Sequence, residues 1–140
     1  MAPQFYDWTC SSCATDWVLE STGCRGSDRE RTVYEIGYPH NINSTYGLMD
    51  GSGAQLQRVL GDYGLGSEQG WLDFDAVYEL AQETTGMMSG ANWYHWVSIR
   101  GVQGPNLWIA NSACGYRGVW ETLSRQQFND LGGFSVVWLV

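Results

Sequence analysis

Lysine is absent from these 140 residues: all seven basic side chains are arginine, against fifteen Asp and Glu, giving a formal net charge of −8. There is no basic stripe and no cluster denser than Arg25 to Arg31, so the electrostatic footprint of a nucleic-acid binder is missing. An acidic surface is also repelled by anionic polymers and membranes, so affinity for such a polymer would have to come from a separate partner. No apolar run approaches the roughly 20 residues of a membrane-spanning helix. The start, Met1-Ala-Pro-Gln4, lacks the basic-then-apolar pattern of a secretory signal, and synthesis in the cytoplasm without a signal peptide is the expectation. The four cysteines are too few for a disulfide scaffold. They read as mainly free thiols in a reducing compartment, with a Cys24–Cys114 bond left open.

What is present supports a folded core. A 44% hydrophobic content in 140 residues fits a single domain spanning the chain. Ser11 to Ser21 has helical spacing, with Gly23 as its C-cap. Cys24 to Gly53 is polar and aperiodic, and reads as a long loop of the kind that walls or covers a site, with Thr32 to Ile36 as a short strand. Leu56, Val59, Leu60 and Tyr63 mark a second helix opened by Ser52 and closed by Gly64; Asp73 caps a third, with Phe74, Val77, Tyr78 and Ala81 on one face. From Met87 the period changes to two, with strands at Tyr94 to Gly101, Asn106 to Asn111 and Phe134 to Val140, and a last helix from Ser124 to Leu131 ended by Gly132-Gly133. Helices ahead of an antiparallel sheet indicate an α+β fold, N-terminal helices packed on a C-terminal sheet.

Cys10 stands where an irregular lead-in gives way to the first helix. Free N–H groups and the positive dipole end of a helix stabilise a thiolate and can lower a thiol pKa into the range of roughly 3.5–7.5. Gln4, six residues upstream, can supply an N–H donor to an oxyanion. Cys10 and Cys13 also spell C-S-S-C, which suits a redox pair, half a zinc site or the core. The other candidate ligands, Cys24, Cys114, His40 and His95, are scattered singly, so no metal or other cofactor is implied. A redox pair would follow a buried strand, and only a short Trp-rich segment precedes this one. Cys13 recurs with Ala14, Trp17 and Val18 at helical spacing and is by default a core residue.

The segments 94–102 and 106–111 flank the turn-forming Gln103-Gly104-Pro105 and should pair as a hairpin. Centred near Gln103, paired positions sum to about 206, so His95 faces Asn111 with Cβ atoms roughly 4.5–5.5 Å apart. The Asn carbonyl could then accept the imidazole N–H and fix its tautomer, while Val97 and Ile99 share the face of His95. A lone His beside apolar residues is ordinarily just packed. With a helix-start Cys, a facing Asn and an upstream Gln, it completes the set for cysteine acyl transfer: nucleophile, base, orienter and oxyanion donor. His40, in a loop, is the one rival base.

These residues resemble the papain-like cysteine peptidases, and within them the compact branch similar to the leader-processing domain of bacteriocin exporters. In that branch a Gln stands six before a helix-opening Cys, as Gln4 and Cys10 do. Its His begins a strand in a sequence matched by His95-Trp-Val-Ser-Ile99, and about sixteen residues on a strand ends as Ile109-Ala-Asn111-Ser-Ala113 does. Leu123-Ser-Arg-Gln-Gln-Phe128 followed by a strand resembles the family's closing helix and strand. Two departures stand out. The orienting position is Asn, as in papain proper, where the compact branch more often has Asp. Aligning on papain's own two-cysteine motif would nominate Cys13, but Asp7 would then lie six residues upstream, and a carboxylate is a poor oxyanion donor.

The resemblance implies a papain-like fold and a thioester mechanism: Cys10 thiolate, paired with protonated His95, attacks an amide; Gln4 and the Cys10 N–H hold the oxyanion; Asn111 orients the ring. It implies no cofactor. The compact branch cleaves after paired glycines in exporter substrates, whereas similar domains in phage lysins and virion-associated wall hydrolases cut peptidoglycan stem peptides or cross-bridges. A wall or virion partner and release to the wall would accompany that second context. A binding-only module, or a transferase or deamidase sharing the triad, are the alternatives. Trp8, Trp93 and Trp96, with Tyr6 and Trp108, cluster around the catalytic positions as candidate cleft residues, although strand alternation assigns half or more to the core.

Overall fold

The computed structural model describes residues 6–112 and 121–140. The elements run α1 (Cys10–Ser21), α2 (Arg29–Ile36), β1 (Ile42–Asn43), β2 (Gly47–Leu48), α3 (Ala54–Asp62), β3 (Ser67–Leu72), α4 (Phe74–Ala81), β4 (Gly86–Gly90), β5 (Trp96–Gln103), β6 (Asn106–Ala110), β7 (Thr122–Leu123), α5 (Arg125–Asp130) and β8 (Phe134–Leu139). The fold is α+β: six strands form an antiparallel sheet in the order β3-β8-β4-β5-β6-β7, and β1 and β2 form a separate two-stranded ribbon.

Strand alternation divides the core in two. Met87, Trp96 and Val137 pack with Ala14, Val18, Leu19, Ile36, Leu56 and Leu60 of α1, α2 and α3. Their sequence neighbours Met88, Val97 and Val136 point to the other side, against Phe74 and Val77 of α4 and Phe128 of α5. The N-terminal helices therefore cover one face of the sheet and the later two cover the opposite face, so the sheet is sandwiched. Strand β3, between α3 and α4 in the chain, pairs with β8 at the sheet edge and was not foreseen; half-exposed on both sides, Ser67–Leu72 carries no alternating apolar signal.

The segment 32–36 is helical, correcting the expected strand. Asp28 accepts the N–H of Arg31 as N-cap, Thr32, Val33 and Ile36 turn inward, and Gly37 ends α2 at φ 116°, where a residue with a side chain would be strained. Helix α3 starts from Gly53, at φ 87°, rather than Ser52, whose N–H and hydroxyl are both turned to Asp50. A Cβ on Gly53 would stand 2.7 Å from Val137 Cγ2 and 3.0 Å from the Trp96 ring, so this glycine lets α3 approach a cleft-lining indole. Helix α5 has the expected start, with Ser124 and Gln127 forming a reciprocal capping box.

A buried ionic cluster ties the three N-terminal helices together. Arg25 donates to Asp16 Oδ1 at 2.9 Å, Glu35 Oε1 at 2.7 Å, Thr32 Oγ1 at 2.5 Å and Tyr63 Oη at 2.9 Å, and Tyr63 in turn donates to Glu35. Every one of these partners lies on or beside α1, α2 or α3, which fixes the packing of α1 and with it the position of Cys10.

Candidate active site

Helix α1 begins at Cys10, with Thr9 as its N-cap residue. The Thr9 hydroxyl is turned back to Tyr6 O at 2.8 Å rather than onto the helix, so the first N–H groups are not capped by a side chain. The helix is held to the sheet by two bonds from β5. Trp96 donates its backbone N–H to Cys10 Sγ at 3.4 Å, and Ser98 Oγ donates to Ala14 O at 2.7 Å. Because the Trp96 nitrogen belongs to the peptide unit joining it to His95, the sulfur lies one peptide unit from the histidine backbone.

His95 stands just ahead of β5, after Tyr94 at φ 54°. A tyrosine in the left-handed region is uncommon, and it turns the chain at the entry to the strand. His95 Nε2 lies 2.7 Å from Asn111 Oδ1. An amide oxygen only accepts, so the proton sits on Nε2 and Nδ1 is left able to take one. Trp93 meets the imidazole edge-on, with centroids 5.1 Å apart, and packs against Phe134.

The expected pair is thus made, by a different route. The hairpin pairs Gln103 with Asn106 and Ser98 with Ala110, shifted by a bulge between Ile99 and Gly101; continued one residue, that register sets Val97 opposite Asn111. His95 reaches Asn111 diagonally because it precedes the ladder. Ser112, the next residue, hydrogen-bonds the Cys13 thiol, so the end of β6 lies against α1 as well.

Burial dominates the electrostatics. Cys10 is 8% exposed, and desolvation pushes its thiol above the ordinary value; the N–H groups of Trp96, Ser11 and Cys10 itself pull the other way but do not win. Burial thus opposes the thiolate expected from a helix start. Burial also holds His95 below its ordinary value, with the Asn111 bond opposing it. For both groups burial disfavours the charged form. Cys13 is 2% exposed and pushed up to about 12, first by burial, which fits a core residue.

A cleft of about 310 Å³ opens on Cys10, walled by Trp8, Trp96, Ser89 and Tyr94, by Asp7, and by Ser44 to Leu48 and Gly51. Cys13 does not line it. Of the three candidate tryptophans, Trp8 and Trp96 do, whereas Trp93 backs the imidazole instead. The part of the expected loop wall that reaches the cleft is the turn between β1 and β2, strand β2 and Gly51. Sequence reasoning missed Tyr94, although its place beside His95 was a signal. Gln4 and Cys114 lie outside the described residues. Cys24 is a free thiol, 3.4 Å from Thr22 Oγ1, and His40 sits exposed in the turn after α2.

No protein-family model matches the sequence, and no curated protein matches it. Solved structures do. The peptidase domain of Streptococcus ComA, a bifunctional ABC transporter involved in quorum sensing, superposes with a TM-score of 0.71 at 12% identity, over 99% of this chain and 96% of that one. A double-glycine-motif protease from an AMS/PCAT transporter, solved with its leader peptide, gives 0.69 at 15% identity over 99% and 89%. A C39-like peptidase from Bacillus anthracis gives 0.67 at 13% over 100% and 93%. The chain has a C39-type, papain-like peptidase fold. Within this chain the start of α1 and the start of β5 meet at Cys10 and Trp96.

Proposed function

We propose that this chain is a cysteine peptidase that hydrolyses a peptide amide through a thioester on Cys10. The observation that carries the reading is the Nε2–Oδ1 contact of His95 and Asn111 at 2.7 Å on the peptide unit whose N–H bonds Cys10 Sγ. His95 Nδ1 takes the thiol proton as sulfur attacks the carbonyl carbon, and returns it to the leaving amine. The N–H groups at the start of α1, uncapped by a side chain, are the candidate backbone donors to the oxyanion, and Gln4 is the candidate side-chain donor. Water, deprotonated by the same ring, then releases the acid. Asn111 is a positioning residue that keeps the proton on Nε2.

The substrate class follows by analogy from the solved relatives, one of which is a double-glycine protease bound to a leader peptide. Peptides with a Gly-Gly site are thus the first substrates to try, with peptidoglycan stem peptides and cross-bridges as the second class. Incubation with both, read by mass spectrometry, tests the proposal: cleavage should occur in one class and vanish in Cys10→Ala and His95→Ala proteins that remain folded. Binding without cleavage would mean a binding module, and transfer or deamidation products a different use of the same triad.

A further inference from the structure

A second groove, of about 520 Å³, adjoins the cleft and shares Trp8 and Ser44 with it. Its walls are aromatic. Tyr6 stacks on Trp8 with centroids 5.8 Å apart, Trp8 on Tyr38 at 5.7 Å, and Tyr34 meets Tyr38 edge-on at 5.9 Å. Tyr34 is 71% exposed and Tyr6 58%, so two of these rings present large open surfaces to solvent. Among the described residues the only charged side chain on the groove is Glu30, and Asp7 stands on the cleft beyond Trp8. Arg25 and Arg31 pair with Glu35, Arg58 with Asp62 and Arg125 with Asp75, and Arg100 lies over the Trp108 ring. Ring faces carry a negative quadrupole that attracts a cation within about 6 Å, and a neighbouring carboxylate adds to it. A groove meant for a neutral apolar side chain has no use for Glu30, and an anionic one would be opposed by it and by the net charge of −8.

We propose that this groove is a subsite for a cationic side chain, Arg or Lys, carried by the peptide whose amide reaches Cys10. The occupant's being part of a substrate rests on the peptidase reading; the groove's preference for a cation does not. The ring-to-ring steps run from Trp8, two residues before Cys10, to Tyr34, a distance an extended peptide covers in about three to five residues. The basic residue therefore belongs within about five positions of the cleaved bond.

Two measurements separate the claims. The full chain carrying Cys10→Ala is titrated with acetyl-Ala-Ala-Arg-Ala-Ala-amide and with the same peptide bearing norleucine or glutamate in place of arginine, by tryptophan fluorescence and NMR. Arginine should bind about tenfold or more tighter than norleucine, weaken with salt, and lose about threefold or more in Glu30→Gln and most of its advantage in Tyr34→Ala, both exposed positions. Equal binding of arginine and norleucine, a preference for glutamate, or tighter binding of chitotriose than of the arginine peptide would overturn the proposal. In the second measurement, the active protein digests a random peptide library. Enrichment of Arg or Lys within five positions of the cut, lost in Tyr34→Ala, supports both readings; cleavage without that enrichment overturns the subsite alone. Arginine-selective binding with no cleavage of any library peptide supports the groove and counts against the peptidase.

Discussion

Toward α4 and α5, the sheet packs Phe128 on Phe134 with ring centroids 4.2 Å apart and Phe74 edge-on to Phe128 at 5.6 Å, among Val97, Ile99 and Val136. Toward α1, equally deep, lie Thr9, Ser11, Ser12, Thr15, Asp16 and Ser98. The first face is apolar and ordered by rings; the second is a core interrupted by hydroxyls, thiols and a carboxylate. Burying polar groups costs free energy unless each is bonded, and some here are not: among the described residues the hydroxyls of Ser11 and Ser12 have no partner. The sheet thus has one face that supplies stability and one that tolerates its loss in order to hold Cys10 beside β5.

Substitutions on the two faces should separate accordingly. The largest effect is expected from Cys10→Ala, which should lower peptide cleavage by about 10⁴-fold or more, as removal of a nucleophile does, with little change in urea midpoint. Phe128→Ala, on the other face, should cost about 3–5 kcal/mol of stability by denaturant titration while any residual folded fraction keeps its catalytic groups. A Cys10→Ala protein that unfolds, or a Phe128→Ala protein of wild-type stability, would erase the distinction.

The polar face holds the buried groups through which pH should act on stability. A histidine held below 6.5 favours the unfolded state once pH falls beneath that value, because the unfolded chain then binds the extra proton. Thiols held above 9.0 do the reverse: Cys10 and Cys13 support the fold below that pH and cease to as it rises past it. Stability should fall on both sides, the acid loss shrinking in His95→Gln, with Asp50 and Asp75 still contributing to it, and part of the alkaline loss disappearing in Cys13→Ala. The same direction for His95 places the acid limb of kcat/KM below pH 6.5. An acid limb above 6.5 would contradict the assigned environment of the ring. The smallest effect concerns Ser12→Ala, which removes an unpartnered hydroxyl and gains helix propensity, and should stabilise by about 1 kcal/mol. Destabilisation there would mean that the hydroxyl is bonded after all.

Much of this site was legible in the chain because local rules wrote it. Cys10 at a helix start, Ser124 and Gln127 at another, and the turn at Gln103-Gly104-Pro105 are signals confined to a few neighbouring residues. The His95–Asn111 contact followed from the hairpin, yet its register did not: the bulge between Ile99 and Gly101 shifts the ladder, and nothing in the period-two pattern announces it. Helix α2 was misread because its eight residues bury only Thr32, Val33 and Ile36, too few to display a period, although Asp28 and Gly37 mark its ends. The electrostatics of Cys10 were legible only in part. Helix-start N–H groups do favour a thiolate, but the burial that opposes them comes from long-range packing, with Cys10 in one cluster with Met87 and Trp96. The aromatic groove joins residues 6–8 to residues 30–44, and only packing brings them together.

Everything proposed for the polar face turns on the sulfur of Cys10 acting as the nucleophile, and an acid-quenched turnover reads that directly. With a peptide found to be cleaved, rapid quenching followed by digestion and fragment-ion mass spectrometry should locate an acyl group on the Cys10 side chain itself and none on Cys13, Cys24 or Cys114. Cleavage that continues undiminished in Cys10→Ala, or an acyl group on another cysteine, would contradict the account.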